Sequence, residues 1–209
     1  MAKRKAAKKS PARTAKKKAT PKKKAAAKGK TNEDFASHVD DMDDAWGDSK
    51  KSEPSKGGRG GPNEDVVDGN YVAQLDSVST GIPRKEDKDG NRVPYMRCRY
   101  IIAGGELVGE QLTSFDQVSK VEAFDGKTRL DLLSERLQLM GIETTKMKSL
   151  KSLPDICQRL SEEQPLLRIF VKNDHRTNEG GETRHFQNVY INELVPEDEV
   201  DDVLAAFDE

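Results

Sequence analysis

The chain has 209 residues, 36 Lys and Arg against 37 Asp and Glu, and a hydrophobic content of 33% beside a charged content of 35%. So polar a chain has too few apolar side chains to pack its whole length around one core, and no apolar run nears the roughly 18 residues that a bilayer crossing needs. The near-neutral sum hides segregation: residues 1–30 carry fourteen Lys and Arg and no acid, residues 31–48 seven acids and no Lys or Arg, and residues 196–209 seven acids and no base.

In chain order, residues 1–30 are low-complexity, with AKKKATPKKK echoing AAKKSPARTAKKK. Proline and like-charge repulsion oppose a stable helix there, so a disordered basic arm is expected. Its composition resembles the Lys/Ala/Pro tails of linker histones and of some bacterial histone-like proteins. Residues 31–65 are expected to continue as an acidic, then Gly-rich, disordered linker, with the folded domain over 66–195 and an acidic tail over 196–209. Within the domain, GNYVAQLDSVS (69–79) predicts a first strand, TGIPRKEDKDGNRVP a long loop and PYMRCRYII a second strand. The third strand is expected over ELVGEQLTSF (106–115). RLDLLSERLQLM places Leu130, Leu133, Leu137 and Met140 on one helical face, with Thr128 as N-cap and Gly141 as the stop. A second short helix opens at Ser152-Leu153-Pro154-Asp155. PLLRIFVKN and TRHFQNVYINEL complete five strands. A helical insertion between the third and fourth of five strands is the order of the OB barrel, so the predicted class is mainly β, an OB-fold-like barrel flanked by disordered tails.

The run DGNYVAQLDSV, the segment YMRCRYIIAGGELVGEQL, the helix DLLSERLQLMGI and the strand LLRIFVKN together resemble a family of small phage and prophage proteins. The match spans roughly residues 66–195 and rests on the opening G-x-Y-x-A-x-L, the G-x-x-x-G-E of the third strand and the leucine-rich helix. These proteins are regarded as OB-fold single-stranded DNA-binding proteins, and the resemblance implies that fold and that activity.

Catalytic chemistry is poorly represented. His38, His175 and His185 do not fall at metal-ligand spacing with each other or with Cys98 and Cys157. DKDGNR has Arg92 and Cys98 where a calcium loop needs Gly and Glu. No nucleotide-binding or serine-nucleophile motif is present, and no cofactor or metal is expected. The two cysteines, without a secretory segment, argue for a reducing compartment. The expected location is the cytoplasm, the nucleoid or host-cell DNA rather than outside the cell, with no membrane partner.

Strand parity points instead to binding. Successive strand side chains alternate between faces, so Met96, Cys98, Tyr100 and Ile102 face a core while Tyr95, Arg97 and Arg99 face away. Leu167, Ile169 and Val171 likewise leave Arg168, Phe170 and Lys172 outward. Val189 and Ile191 leave Arg184, Phe186 and Tyr190 on the other parity. Cations interleaved with aromatics suit the phosphates and unstacked base faces of single strands. The expectation is a non-catalytic single-stranded DNA-binding protein acting in replication or recombination. A histone-like architectural protein, gripping duplex DNA through residues 1–30 while the folded domain recruits a partner, stays open as the alternative. In PEDEVDDVLAAFDE, Val200, Val203, Leu204 and Phe207 form a short apolar stripe. Val203, Leu204 and Phe207 are the candidates for contact with replication or recombination proteins, against the plainer alternative of a last helix docked on the domain.

Overall fold

A computed structural model describes residues 30–49, 59–60, 63, 65–86, 90–177, 181 and 183–206; the basic arm, Lys30 apart, and Phe207 lie outside them. The elements in chain order are α1 (Lys30–Val39), α2 (Asp43–Ser49), β1 (Arg59–Gly60), β2 (Gly69–Gly81), β3 (Tyr95–Ile102), β4 (Gln111–Gln117), β5 (Glu122–Phe124), β6 (Lys127–Thr128), α3 (Arg129–Leu139), α4 (Leu153–Glu163), β7 (Leu166–Thr177), β8 (Thr183–Leu194) and α5 (Val200–Ala205).

Five long strands make one antiparallel sheet in the order β4, β3, β2, β7, β8. Among the described residues no ladder joins β4 directly to β8, so the long strands do not close the sheet by themselves. Only the two-residue β1 lies between these edges, pairing Arg59 with Phe115 on one side and with Asn188 on the other. Side-chain amides extend that seam. Asn63 Nδ2 donates to Glu110 Oε2 at 2.8 Å and to the Gln111 carbonyl at 3.1 Å. Across from it, Gln187 Oε1 accepts from the Asn63 backbone N–H and its Nε2 donates to the Asn63 carbonyl, both at 3.0 Å. The predicted mainly β class with helices between the third and fourth long strands therefore stands, while closure into a barrel is not made by the long strands.

The strand interiors follow the expected alternation. Met96, Cys98, Tyr100, Ile102, Leu167, Ile169, Val171, Val189 and Ile191 all turn inward and are buried. α3 begins where expected: Thr128 Oγ1 accepts from the Asp131 N–H at 3.2 Å, and Asp131 Oδ2 accepts from the Thr128 N–H at 2.6 Å, a reciprocal capping box. The third strand starts later than expected, at Gln111, because Gly105 and Gly109 adopt φ of 81° and 93° and hold 105–109 as turns. The β5–β6 hairpin, not foreseen, turns on Asp125-Gly126 with φ of 54° and 71°. That sequence and those angles are what a two-residue type I′ hairpin demands.

The largest departure concerns the segment expected as linker. Residues 30–49 are helical, and Phe35, Val39 and Trp46 are completely buried in the same core as the sheet and α3. α2 lies against α3, and α1 against β2 and the Leu150–Ser152 turn. Asp43 fixes the contact: its Oδ1 accepts from the Leu150 N–H at 2.8 Å and its Oδ2 from Ser149 Oγ at 2.6 Å. Burying each of the three side chains contributes roughly 1.5–3 kcal/mol. The domain therefore starts near Lys30 rather than near Val66. α3, contacted by α2 and by β4 and β8, buries Leu132, Ser134, Glu135 and Arg136 in addition to its leucine face.

Candidate nucleic-acid interface

The outward parity of the sheet carries the cations and aromatics in two clusters at opposite ends of β2. One lies on β3 and β4 beside residues 77–81. The register aligns Gly81, Tyr95 and Gln117, then Ser79, Arg97 and Phe115, then Ser77, Arg99 and Thr113. Tyr95 meets Phe115 edge to face with centroids 5.7 Å apart, and the Arg97 guanidinium stands 5.6 Å from the centre of the same ring. Arg99 is held by Asp76, whose Oδ2 accepts from Nε at 2.6 Å and pairs with Nη2 at 2.5 Å. Asp76 reaches it because a bulge between Leu75 and Ser77 inserts an extra residue in β2.

The second cluster lies on β7 and β8. Phe170 and Tyr190 are register partners with ring centres 6.2 Å apart, and Lys172 stands exposed two pairs further along, opposite Asn188. Arg168 is committed to carboxylates: Nη1 donates to Glu193 Oε1 at 2.7 Å and Nη2 lies 3.5 Å from Glu199 Oε2. Further out on this hairpin, Arg184 faces Arg176 across the ladder, and the Arg176 guanidinium sits 5.7 Å from the centre of the Phe186 ring. The expected residues thus all share one face, but Tyr95, Arg97 and Arg99 form one group and the β7–β8 residues another.

Phe115, Ser77, Ser79 and Arg176 belong to this surface and were not among the expected residues. The signal for Phe115 was present: with Leu112 inward, QLTSFDQ places Thr113, Phe115 and Gln117 outward. Phe115 is 41% exposed, unusual for a Phe. Its inward neighbours Ser114 and Asp116 serve Arg136, which is buried beneath the face. Arg136 Nη1 stands 3.1 Å from Asp116 Oδ2 and 3.3 Å from Tyr100 Oη, and Nη2 donates to the Val189 carbonyl at 2.9 Å. Burial lifts the Asp116 carboxyl above the usual range against the pull of Arg136, and burial beside Asp116 pushes the Cys98 thiol up to about 12. Cys98 is accordingly a protonated core side chain and no nucleophile.

The acidic C-terminal segment folds back on the second cluster. Val203 and Ala206 line a hollow of about 400 Å³ with Val72, Ile169 and Arg168. Val72, outward by parity, is only 5% exposed there. Val203 and Leu204 are half-buried in α5, while Phe207, the third candidate, lies outside the described residues.

Compared with protein-family models, with curated proteins and with solved structures, the chain matches none.

Proposed function

We propose that the protein is a non-catalytic single-stranded DNA-binding protein of OB type, serving replication or recombination. The observation that carries this is the outward face of the sheet, where guanidinium groups stand beside aromatic rings in both clusters, Arg97 with Phe115 and Arg176 with Phe186. Single strands expose a phosphate chain and unpaired π-faces together, and such a surface answers both. Duplex DNA hides its base faces and would use only the cations. The OB assignment is supported by the pairing order: the first long strand is flanked by the second and fourth, and the helices fall between the third and fourth. Residues 1–30 add sequence-independent phosphate affinity in this scheme, for duplex as for single strands.

Anisotropy titrations with labelled single strands and duplexes of equal length, using the full chain and a chain beginning at Lys30, test the proposal. The shorter chain is expected to keep a clear preference for single strands, and the arm to add affinity for both. If the shorter chain binds neither while the full chain grips duplex equally well, the architectural alternative replaces this reading.

A further inference from the structure

Ser77, Ser79, Arg97 and Arg99 enclose a recess of about 90 Å³ on the outward face. That is room for several waters and hence for one phosphoryl group, but not for a nucleobase. Its walls are two cross-strand Ser–Arg pairs, Ser79 with Arg97 and Ser77 with Arg99. The two guanidiniums differ in state. Arg99 spends two of its five donors and its charge on Asp76, whereas among the described residues no carboxylate pairs with Arg97. The positive charge of the recess is therefore that of Arg97, with Arg99 and the two hydroxyls as hydrogen-bond donors.

One strand over, about 5 Å away, stands the ring of Phe115. Tyr95, in contrast, is packed down. A Cβ on Gly81 would lie 2.7 Å from Tyr95 Oη and 2.8 Å from Cζ, so the Tyr95 ring lies across the bare backbone of Gly81 and turns its contact to Phe115 at 67°. Tyr95 and Arg97 both stand against the Phe115 ring and fix its position.

Resting on the single-strand reading above, we propose that this patch is a one-nucleotide subsite. The recess of Ser77, Ser79, Arg97 and Arg99 takes one phosphodiester group, and Phe115 takes the base of the same nucleotide by stacking. Tyr95 is a positioning residue rather than the platform. Because every base has a π-face and the recess meets only phosphate oxygens, the subsite accepts any base.

Salt titrations of full-length protein against a fluorescent oligothymidylate separate the two halves. Arg97→Ala is expected to flatten the log–log salt slope by about 0.7, the value of one neutralised phosphate on a single strand. Phe115→Ala is expected to weaken binding roughly 5- to 150-fold with the slope unchanged, the equivalent of one base–aromatic stack. Phe115→Leu, which keeps an apolar side chain on the sheet but has no ring, should lose as much. In the unaltered protein, an oligonucleotide carrying 5-iododeoxyuridine should photocrosslink to Phe115. If the unaltered protein binds single strands but Arg97→Ala keeps the full slope, or Phe115→Leu keeps full affinity, the subsite is wrong and the wider reading survives. If the unaltered protein binds no single strand, both fall.

Discussion

Arg136 connects, through one guanidinium, parts of the molecule that the backbone leaves apart. It reaches Asp116 and Ser114 on β4, Tyr100 on β3 and the Val189 carbonyl on β8, and so ties together from beneath the two strands that only the short β1 joins on the ladder. Asp116→Asn would leave that guanidinium charged, 3% exposed and without its counter-ion. Loss of one partner of a buried pair costs about 3–5 kcal/mol, and urea unfolding of the variant should show a drop of that order. A loss of unfolding free energy under about 1 kcal/mol would mean that Ser114, Tyr100 and Val189 satisfy the charge unaided. In RLDLLSERLQLM Arg136 stands three residues after Leu133 and four before Met140, at the rim of the leucine face, but its type normally stays in water, so the pattern alone does not mark it as buried. The strand residues were easier to place. One apolar parity in YMRCRYII or LLRIFVKN settles both faces at once, which is why every expected cation and aromatic of the sheet is outward. Phe115 escaped because Ser114 and Asp116, the inward residues around it, look like surface.

The helical elements divide along the same line. α3 was legible because its cap and leucine spacing are local signals, and the capping box confirms how it starts. α1 and α2 were not, because Phe35, Val39, Met42 and Trp46 are scattered apolar side chains in a stretch that is mostly acidic or small. Their burial depends on contacts far along the chain, with α3, β2 and the Ser149–Ser152 turn. Propensity and charge argued for linker, and tertiary contact overrode them. The prediction that follows concerns Trp46, the chain's single Trp. Trp46→Ala should cost about 3–5 kcal/mol, as much as a residue of the central core. The unaltered protein should show a blue-shifted emission that moves red only with global unfolding. A chain beginning at Lys30 should unfold at the same denaturant concentration as the full protein, and one beginning at Val66 at a much lower one. Emission that moves red well before the far-ultraviolet signal changes would make α1 and α2 a loosely held flap instead.

Over the whole molecule, charge is sorted into a basic arm, a mixed domain and an acidic end, and the acidic end has a place on the domain. The 197–206 segment sets Glu199 against Arg168, with Val203 and Ala206 lining the same hollow as Val72, beside the Phe170–Tyr190 pair. Its docking combines a small apolar contact with an exposed ion pair, and exposed pairs contribute only about 0–1 kcal/mol, so the helix should lift readily. While docked it covers one end of the cation–aromatic face and spends the charge of Arg168. A site that is open only part of the time binds with its affinity scaled by the open fraction. If the tail covers the face for about 50–90% of the time, removing residues 196–209 should raise single-strand affinity about 2- to 10-fold at low salt. Near 1 M salt, where the screening length is about 3 Å, the ionic part of the contact fades and the difference between the two proteins should shrink with it. Glu199→Gln, which leaves the apolar contact in place, should give part of the same gain. Equal affinities of the full and shortened chains at every salt concentration would show that the docked helix and the bound strand do not compete, and would confine the DNA path to the Phe115 end of the face.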